Sequence, residues 1–207
     1  TKITFGTGGM LDVFTGDVGP TRMNRSENGS YPIVAYSDAK TTHWAAEAIM
    51  LSAGTNIDWL RDDLQIILTS QESHDVASGV NDSGGVVFVP ALFGLGTPHW
   101  DYGARGTLLG LTRGTTRAHI VRAVLEGIAH RGADMLEAVV ADTKLSISTL
   151  RVDGGMSQNP TFIQALANTT GLNVEVSPVV EATTLGAAFL AGVAVGVWGS
   201  INQAAET

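Results

Sequence analysis

The chain has 207 residues, 44% of them hydrophobic, with a formal net charge of −8 and no cysteine. That length and apolar content suit one large domain or two small ones with a real core. The acidic balance argues against nucleic acid and anionic membranes as partners, and the lack of cysteine excludes disulfides, thiolate zinc sites and cysteine nucleophiles. Nucleotides stay open, because backbone amides and a divalent ion can meet phosphate locally. No basic segment followed by an apolar core marks a signal peptide, so the cytoplasm is the default compartment. Thr1 opens directly in a strand-like run without an initiator methionine, which reads as a cut fragment.

Lys2–Phe5 and Met10–Thr15 are β-rich runs around Gly6-Thr7-Gly8-Gly9 and predict a hairpin with a glycine-dense turn. Such a turn can wrap phosphate with its amides and the Thr7 hydroxyl, or can be a plain hairpin turn. Residues 16–29 form a polar loop, and Tyr31–Tyr36 predicts a strand. Thr42 is placed to cap a helix in which Trp44, Ala48 and Leu51 follow helical spacing and which stops at Gly54. A second short helix is expected over Ile57–Leu68, with Trp59, Leu60, Leu64 and Ile67 inward and Asp58, Asp62 and Asp63 on its wet side. Glu72–Asn81 adds a helical turn or two. Neither His43 nor His74 has a second histidine at i+4, so a surface or core role is expected for both.

Val86–Val89 has the character of a buried strand, and the irregular loop from Pro90 to Gly106 that follows is long for a compact domain. His99 beside Asp101 suggests acid/base chemistry, but a loop anchored by Trp100 accounts for the same residues. The longest helix starts at Thr115 or Thr116 and runs to about Val140, with Ile120, Val124, Ile128, Met135 and Val139 on one stripe. Glu126 and His130, one turn apart on its other side, predict a stabilising pair.

Leu150–Asp153 reads as a strand that meets Gly154 and Gly155 and then a helix start, with Ser157 or Asn159 as the cap and Pro160 at the first helical position. The unpaired amides of such a start suit an anion or a ribose and base edge, although strand-Gly-Gly also makes ordinary βα turns. A helix to Gly171, a strand over Asn173–Val176 and a helix over Ala182–Val197 complete an alternation that implies a largely parallel sheet behind an antiparallel hairpin. Residues 182–205 carry no charge, but the apolar part from Leu185 to Trp198 is broken by Gly186, Gly192 and Gly196. It falls short of the roughly 17–25 residues of a spanning helix, so a buried soluble helix is expected.

Several of these stretches together resemble the FGGY carbohydrate kinases, and among them the glycerol kinases. Gly106-Thr-Leu-Leu-Gly110-Leu, seven intervening residues and then His119-Ile-Val-Arg-Ala-Val-Leu-Glu126 match that family's second signature. Phe5-Gly-Thr-Gly8 resembles its phosphate hairpin, Val152-Asp-Gly-Gly155 its adenosine turn, and Leu185–Gly192 its closing helix. Trp59-Leu-Arg-Asp62, Gly94–Asp101 and Leu111-Thr-Arg-Gly114 are similar to glycerol kinases in particular.

The resemblance implies an α/β fold of the actin-like ATPase, ribonuclease-H-like kind: a mixed sheet with an N-terminal antiparallel hairpin and flanking helices. It makes residues 1–207 a single C-terminal, ATP-binding kinase domain without the N-terminal substrate domain. The implied reaction is transfer of the ATP γ-phosphate to a polyol hydroxyl, glycerol to glycerol 3-phosphate. Xylulokinase or another sugar kinase is the alternative, and an actin-like module without a small-molecule acceptor is a third. The implied nucleotide residues are Gly6, Thr7, Gly8, Gly54, Asp58, Gly154, Gly155 and Asn159, with Asp58 standing where glutamine is usual. Met10 takes the position of a substrate-packing phenylalanine. The catalytic aspartate is expected upstream of Thr1. Gly16-Asp17 follows the hairpin and lacks the motif's glutamine, so it is not this aspartate. The implied ligands are ATP or ADP, Mg²⁺ held mainly by phosphates and the missing domain, and a small polyol or sugar. Homo-oligomerisation stays open.

Overall fold

A computed structural model describes residues 1–38 and 41–207. Six strands form one sheet in the order β3-β4-β2-β1-β7-β8: β1 (Lys2–Phe5), β2 (Gly9–Gly16), β3 (Tyr31–Ser37), β4 (Thr42–Met50), β7 (Thr149–Asp153) and β8 (Asn173–Val176). The first four pair antiparallel, with Phe5 opposite Gly9 and Leu11 opposite Ala48. β1 pairs parallel with β7, and β7 with β8, so the hairpin is joined to a parallel half as the alternation predicts. Pro32 lies on edge strand β3, where its missing N–H interrupts no central ladder.

The period-two pattern buries one face. Ile3, Phe5, Leu11, Val13, Ala48, Met50, Leu150 and Val152 point into the core. They meet α3 (Arg117–Thr143), whose Val124, Ile128, Met135 and Val139 are buried. Thr116 caps α3, and Lys144 closes it in the left-handed conformation. Phe5 sits edge-on to Phe162 of α4 (Pro160–Thr170), ring centroids 4.7 Å apart, which ties the hairpin to the second helical layer.

Several expectations need correction. Residues 42–50 are strand β4, not a helix. Their alanines favour helix intrinsically, and pairing to β2 and β3 on both sides outweighs that preference and the helical spacing of Trp44, Ala48 and Leu51. The helix expected over Ile57–Leu68 is α1, Gly54–Asp62. It unwinds where Leu64 N bonds Trp59 O and Ile66 N bonds Leu60 O, and Gln65 then takes φ 54°, which leaves Leu64 exposed rather than inward. Next comes α2 (Glu72–Ser78). Val87–Val89 is β5, but it pairs with β6 (Thr107–Leu109) in a separate two-stranded sheet, and only Phe88 of the three is deeply buried. Glu126 bonds Arg122 at 2.6 Å instead of His130, which is exposed. The loop after β5 is anchored as expected, with Trp100 Nε1 donating to Gly29 O at 2.7 Å and Asp101 capping the Gly103 and Ala104 amides.

The apolar helix near the C-terminus is α5, Ala182–Ala194, followed by α6 (Ile201–Ala205). It is not buried as expected: Leu185 and Leu190 are each 37% exposed. Its packing is chiefly on the segment that follows it, with Phe189 edge-on to Trp198. Among the described residues no helix is long and apolar enough to cross a membrane.

Candidate functional site

The hairpin turn and the start of α1 are locked together by the backbone. Gly54 N donates to Gly6 O at 2.9 Å, and Ala53 N donates to Thr7 O at 2.9 Å. The Thr55 hydroxyl adds a bond to the same Thr7 carbonyl at 3.3 Å. A Cβ at Gly54 would lie 2.6 Å from Gly6 O, so glycine is required by this close approach. The first amides of α1 thus serve the hairpin's carbonyls, and the polar groups left to the turn are its own N–H groups and the Thr7 hydroxyl.

The second wall is the β7 turn. Gly154 has φ 86°, and a Cβ there would lie 2.6 Å from Phe5 O, so this glycine carries the strained turn. Gly154 O accepts from Ser157 N at 3.0 Å and from Ser157 Oγ at 2.7 Å, closing one tight 3₁₀ turn over Gly155–Gln158. Of the two candidate caps, Asn159 holds α4: its Oδ1 accepts from Phe162 N at 3.0 Å, and Pro160 follows at the first helical position. Gly155 differs from its neighbour. Apart from its two chain neighbours, no described residue has a heavy atom within 4 Å of a Cβ built on it.

Between the walls is a cavity of about 210 Å³. Gly6 and Thr7 from the hairpin, Gly54 and Asp58 from α1, and Gly155 and Asn159 from the β7 turn all line it. Gly8 and Gly154 adjoin it as backbone supports: a Cβ on Gly8 would strike Met50 O at 2.7 Å. Met10 stands outside this lining, 41% exposed on β2. Sequence reasoning missed Ser70 and Ser73, which also line the cavity. Asn159 Nδ2 donates to Ser73 Oγ at 2.9 Å across 86 residues, and His74 Nδ1 bonds Thr161 Oγ1 at 2.8 Å beside it. No local pattern announces such contacts; Ile57, three residues after Gly54 on the same helix face, lines the cavity as well.

Charge enters at one end. Arg61 Nη1 lies 3.0 Å from Asp58 Oδ1 and donates to Ser70 Oγ at 2.9 Å, while Nε and Nη2 grip Asp62, each at 2.7 Å. The bonds from Arg61 hold the Asp62 carboxyl below the usual carboxylate range. Under the turn, the buried carboxylate of Asp153 takes the Thr4 hydroxyl on Oδ1 at 2.5 Å, and its Oδ2 has no hydrogen-bond partner among the described residues.

Residues 1–195 match the profile described as "FGGY family of carbohydrate kinases, C-terminal domain". The chain belongs to this family. This FGGY domain is 46% identical over 202 residues to the glycerol kinase of Gloeobacter violaceus, covering 98% of the chain and 40% of that relative. It is 45% identical over 197 residues to glycerol kinase 2 of Thermotoga maritima, covering 95% and 39%. Among solved structures it superposes on Plasmodium falciparum glycerol kinase with ADP at a TM-score of 0.84 and 35% identity, over 97% of this chain and 39% of that one. A ligand-bound xylulose kinase from Lactobacillus acidophilus gives 0.81 and 25%, over 99% and 40%. The FGGY domain therefore has the actin-like ATPase fold, and it spans about two fifths of the length of the relatives it matches.

Proposed function

We propose that this FGGY domain is the nucleotide-binding wall of an ATP-dependent kinase that phosphorylates a polyol hydroxyl, with glycerol as the acceptor and glycerol 3-phosphate as the product. The observation that carries the reading is the convergence of Gly6, Thr7, Gly54, Asp58, Gly155 and Asn159, drawn from three separated segments, on one cavity. In this reading the hairpin amides and Thr7 hydroxyl meet the phosphates, and the open face over Gly155 takes the nucleoside. Support for ATP or ADP comes from the related glycerol kinase solved with ADP. Support for glycerol over xylulose comes from the higher identity to glycerol kinases, 35% against 25% among the structures. Met10, exposed on β2 outside the cavity, would then pack against the acceptor.

Phosphoryl transfer also needs a base and a positioned hydroxyl. Both are assigned to parts of the kinase other than these residues; Asp17, set aside on its sequence, is paired with His43 at 2.5 Å and follows the end of β2 away from the Thr7 turn. The residues present do not make a Mg²⁺ cage. Asp58, the carboxylate in the cavity lining, is paired with Arg61, and among the described residues no three acidic or histidine groups converge. Mg²⁺ arriving with the nucleotide would take its ligands from the phosphates and from groups elsewhere in the enzyme. The test is a coupled assay of the complete kinase with ATP and glycerol, D-xylulose or gluconate. Turnover of glycerol well above the others is expected. A preference for a sugar would overturn the acceptor, and no ADP release with any of them would overturn the reaction.

A further inference from the structure

Asn159 is held by two groups of opposite hydrogen-bonding sense. Its Oδ1 accepts from Phe162 N at 3.0 Å, and its Nδ2 donates to Ser73 Oγ at 2.9 Å. Ser73 Oγ gives its own hydrogen to Ser70 O at 2.5 Å, so towards Asn159 it can only accept. Phe162 N can only donate. The two neighbours therefore fix which end of the amide is which, and one hydrogen on Nδ2 is left over. Asn159 lines the cavity, and this hydrogen is the donor its side chain has left for a ligand. Ser73 is 1% exposed and already bonded in both senses, which makes it a support for Asn159. The support runs on to the opposite wall: Arg61 Nη1 of α1 donates to Ser70 Oγ at 2.9 Å, and Ser70 O takes the Ser73 hydroxyl. Residues 70–73 thus tie α1 to the start of α4. A second tie between α2 and α4, His74 Nδ1 to Thr161 Oγ1 at 2.8 Å, ends on two residues outside the cavity lining. It docks the same helices without bonding Asn159.

We propose that Ser73 is a positioning residue for nucleotide binding: it holds the Asn159 amide in the orientation that offers a donor to the bound nucleotide. The inference rests on the nucleotide assignment above. Ser73 belongs to α2, which carries neither the phosphate hairpin nor the β7 turn, so its effect on the nucleotide passes through Asn159. Without the Ser73 oxygen, the amide keeps only its bond to Phe162 N, and Nδ2 loses its partner. The donor is then ordered anew each time nucleotide enters, at the expense of affinity. Met10, proposed to pack against the acceptor, lies outside this lining, so use of the polyol does not depend on Ser73.

The test is steady-state kinetics of the complete kinase in ATP and in glycerol, normalised to folded protein, with thermal melts. Ser73→Ala should raise the KM for ATP about fivefold, the worth of one ordinary hydrogen bond, with kcat and the KM for glycerol within about twofold of the unmodified enzyme. His74→Ala, which cuts the other tie between the same helices, should lower Tm and leave the KM for ATP in place. Asn159→Ala should raise the KM for ATP, and adding Ser73→Ala to it should raise it no further, because the group through which Ser73 acts is gone. An equal rise in His74→Ala overturns the proposal, since helix docking would then be the cause. So do independent, multiplicative effects of the Ser73 and Asn159 changes. If Asn159→Ala raises the KM for ATP and Ser73→Ala does not, the nucleotide assignment stands and the positioning inference falls. If neither moves it, both fall.

Discussion

The two adjacent glycines of the β7 turn allow the site and its scaffold to be tested separately. At Gly155 a new Cβ meets no described residue beyond its chain neighbours within 4 Å and the backbone is outside the left-handed region, so Gly155→Val costs the fold little, within about 0.5 kcal/mol as for ordinary surface changes. Its branched side chain projects where the nucleoside is proposed to lie. Loss of even one tight contact face, about 1.4 kcal/mol, raises the KM for ATP tenfold. Gly154→Ala is the opposite case. With φ 86° and Phe5 O 2.6 Å from the new Cβ, it carries backbone strain of about 1–3 kcal/mol before any clash is relieved. In a domain of this size each kcal/mol lowers Tm by about 2–4 °C. Leu150→Ala, fully buried on the strand before the turn, should cost about 2–5 kcal/mol and leave the relative use of the two substrates unchanged in the folded fraction. The assay is steady-state kinetics in ATP and in polyol on the complete kinase, normalised to folded protein, with thermal melts of all three variants. A Gly155→Val enzyme with unchanged KM for ATP, or one impaired selectively toward the polyol, would refute the assignment of the turn to the nucleotide.

The 207-residue chain by itself should fold yet form no ADP with ATP, Mg²⁺ and glycerol, because base and acceptor positioning are each worth powers of ten in rate; glycerol-stimulated ADP release from it, followed by a coupled assay, would show the catalytic groups to be here. Gly54→Ala should lower Tm and weaken nucleotide binding together, since a Cβ pressed to 2.6 Å from Gly6 O shifts the hairpin itself; calorimetric binding of ADP to the folded variant checks this. Asp142 accepts from Ser26 and Ser30 hydroxyls at 2.5 Å and from Asn28 at 2.8 Å, fastening the loop after β2 to the end of α3. Burial pushes this carboxyl up, but those bonds outweigh it and hold it below the usual range. A folded-state value below the unfolded one gives stability that is present above about pH 4 and is lost as the pH falls through the lowered value. Urea melts should therefore show the unmodified protein losing more stability than Asp142→Asn between about pH 5 and 3; parallel losses would mean that the carboxylate does not hold the loop.

What was legible in the sequence was local. The hairpin glycines, the β7 strand with its Gly-Gly turn, Asn159 before Pro160 and the long stripe of α3 each carry their signal within a few residues, and each sits where the pattern placed it. What was hidden depends on partners far along the chain. Ala45, Ala46 and Ala48 favour helix by intrinsic propensity, and the strands paired on both sides make β4 of them. Ser70 and Ser73 enter the cavity because α2 is fastened to α4 through His74–Thr161 and Ser73–Asn159. The helix α5 misled in another way: its apolar run reads as buried, yet in this chain most of its side chains face outward.

Titrating ADP into the ¹⁵N-labelled chain and following every amide shows whether the three separated segments form one nucleotide site. Gly6–Gly8, Gly54–Asp58 and Gly155–Asn159 are expected to move together along one binding curve, while amides around a separate cavity between β5 and α3, lined in part by His99 and His130, stay in place. A folded sample in which none of the three segments moves, or in which the largest shifts gather at His99 and His130, would contradict it.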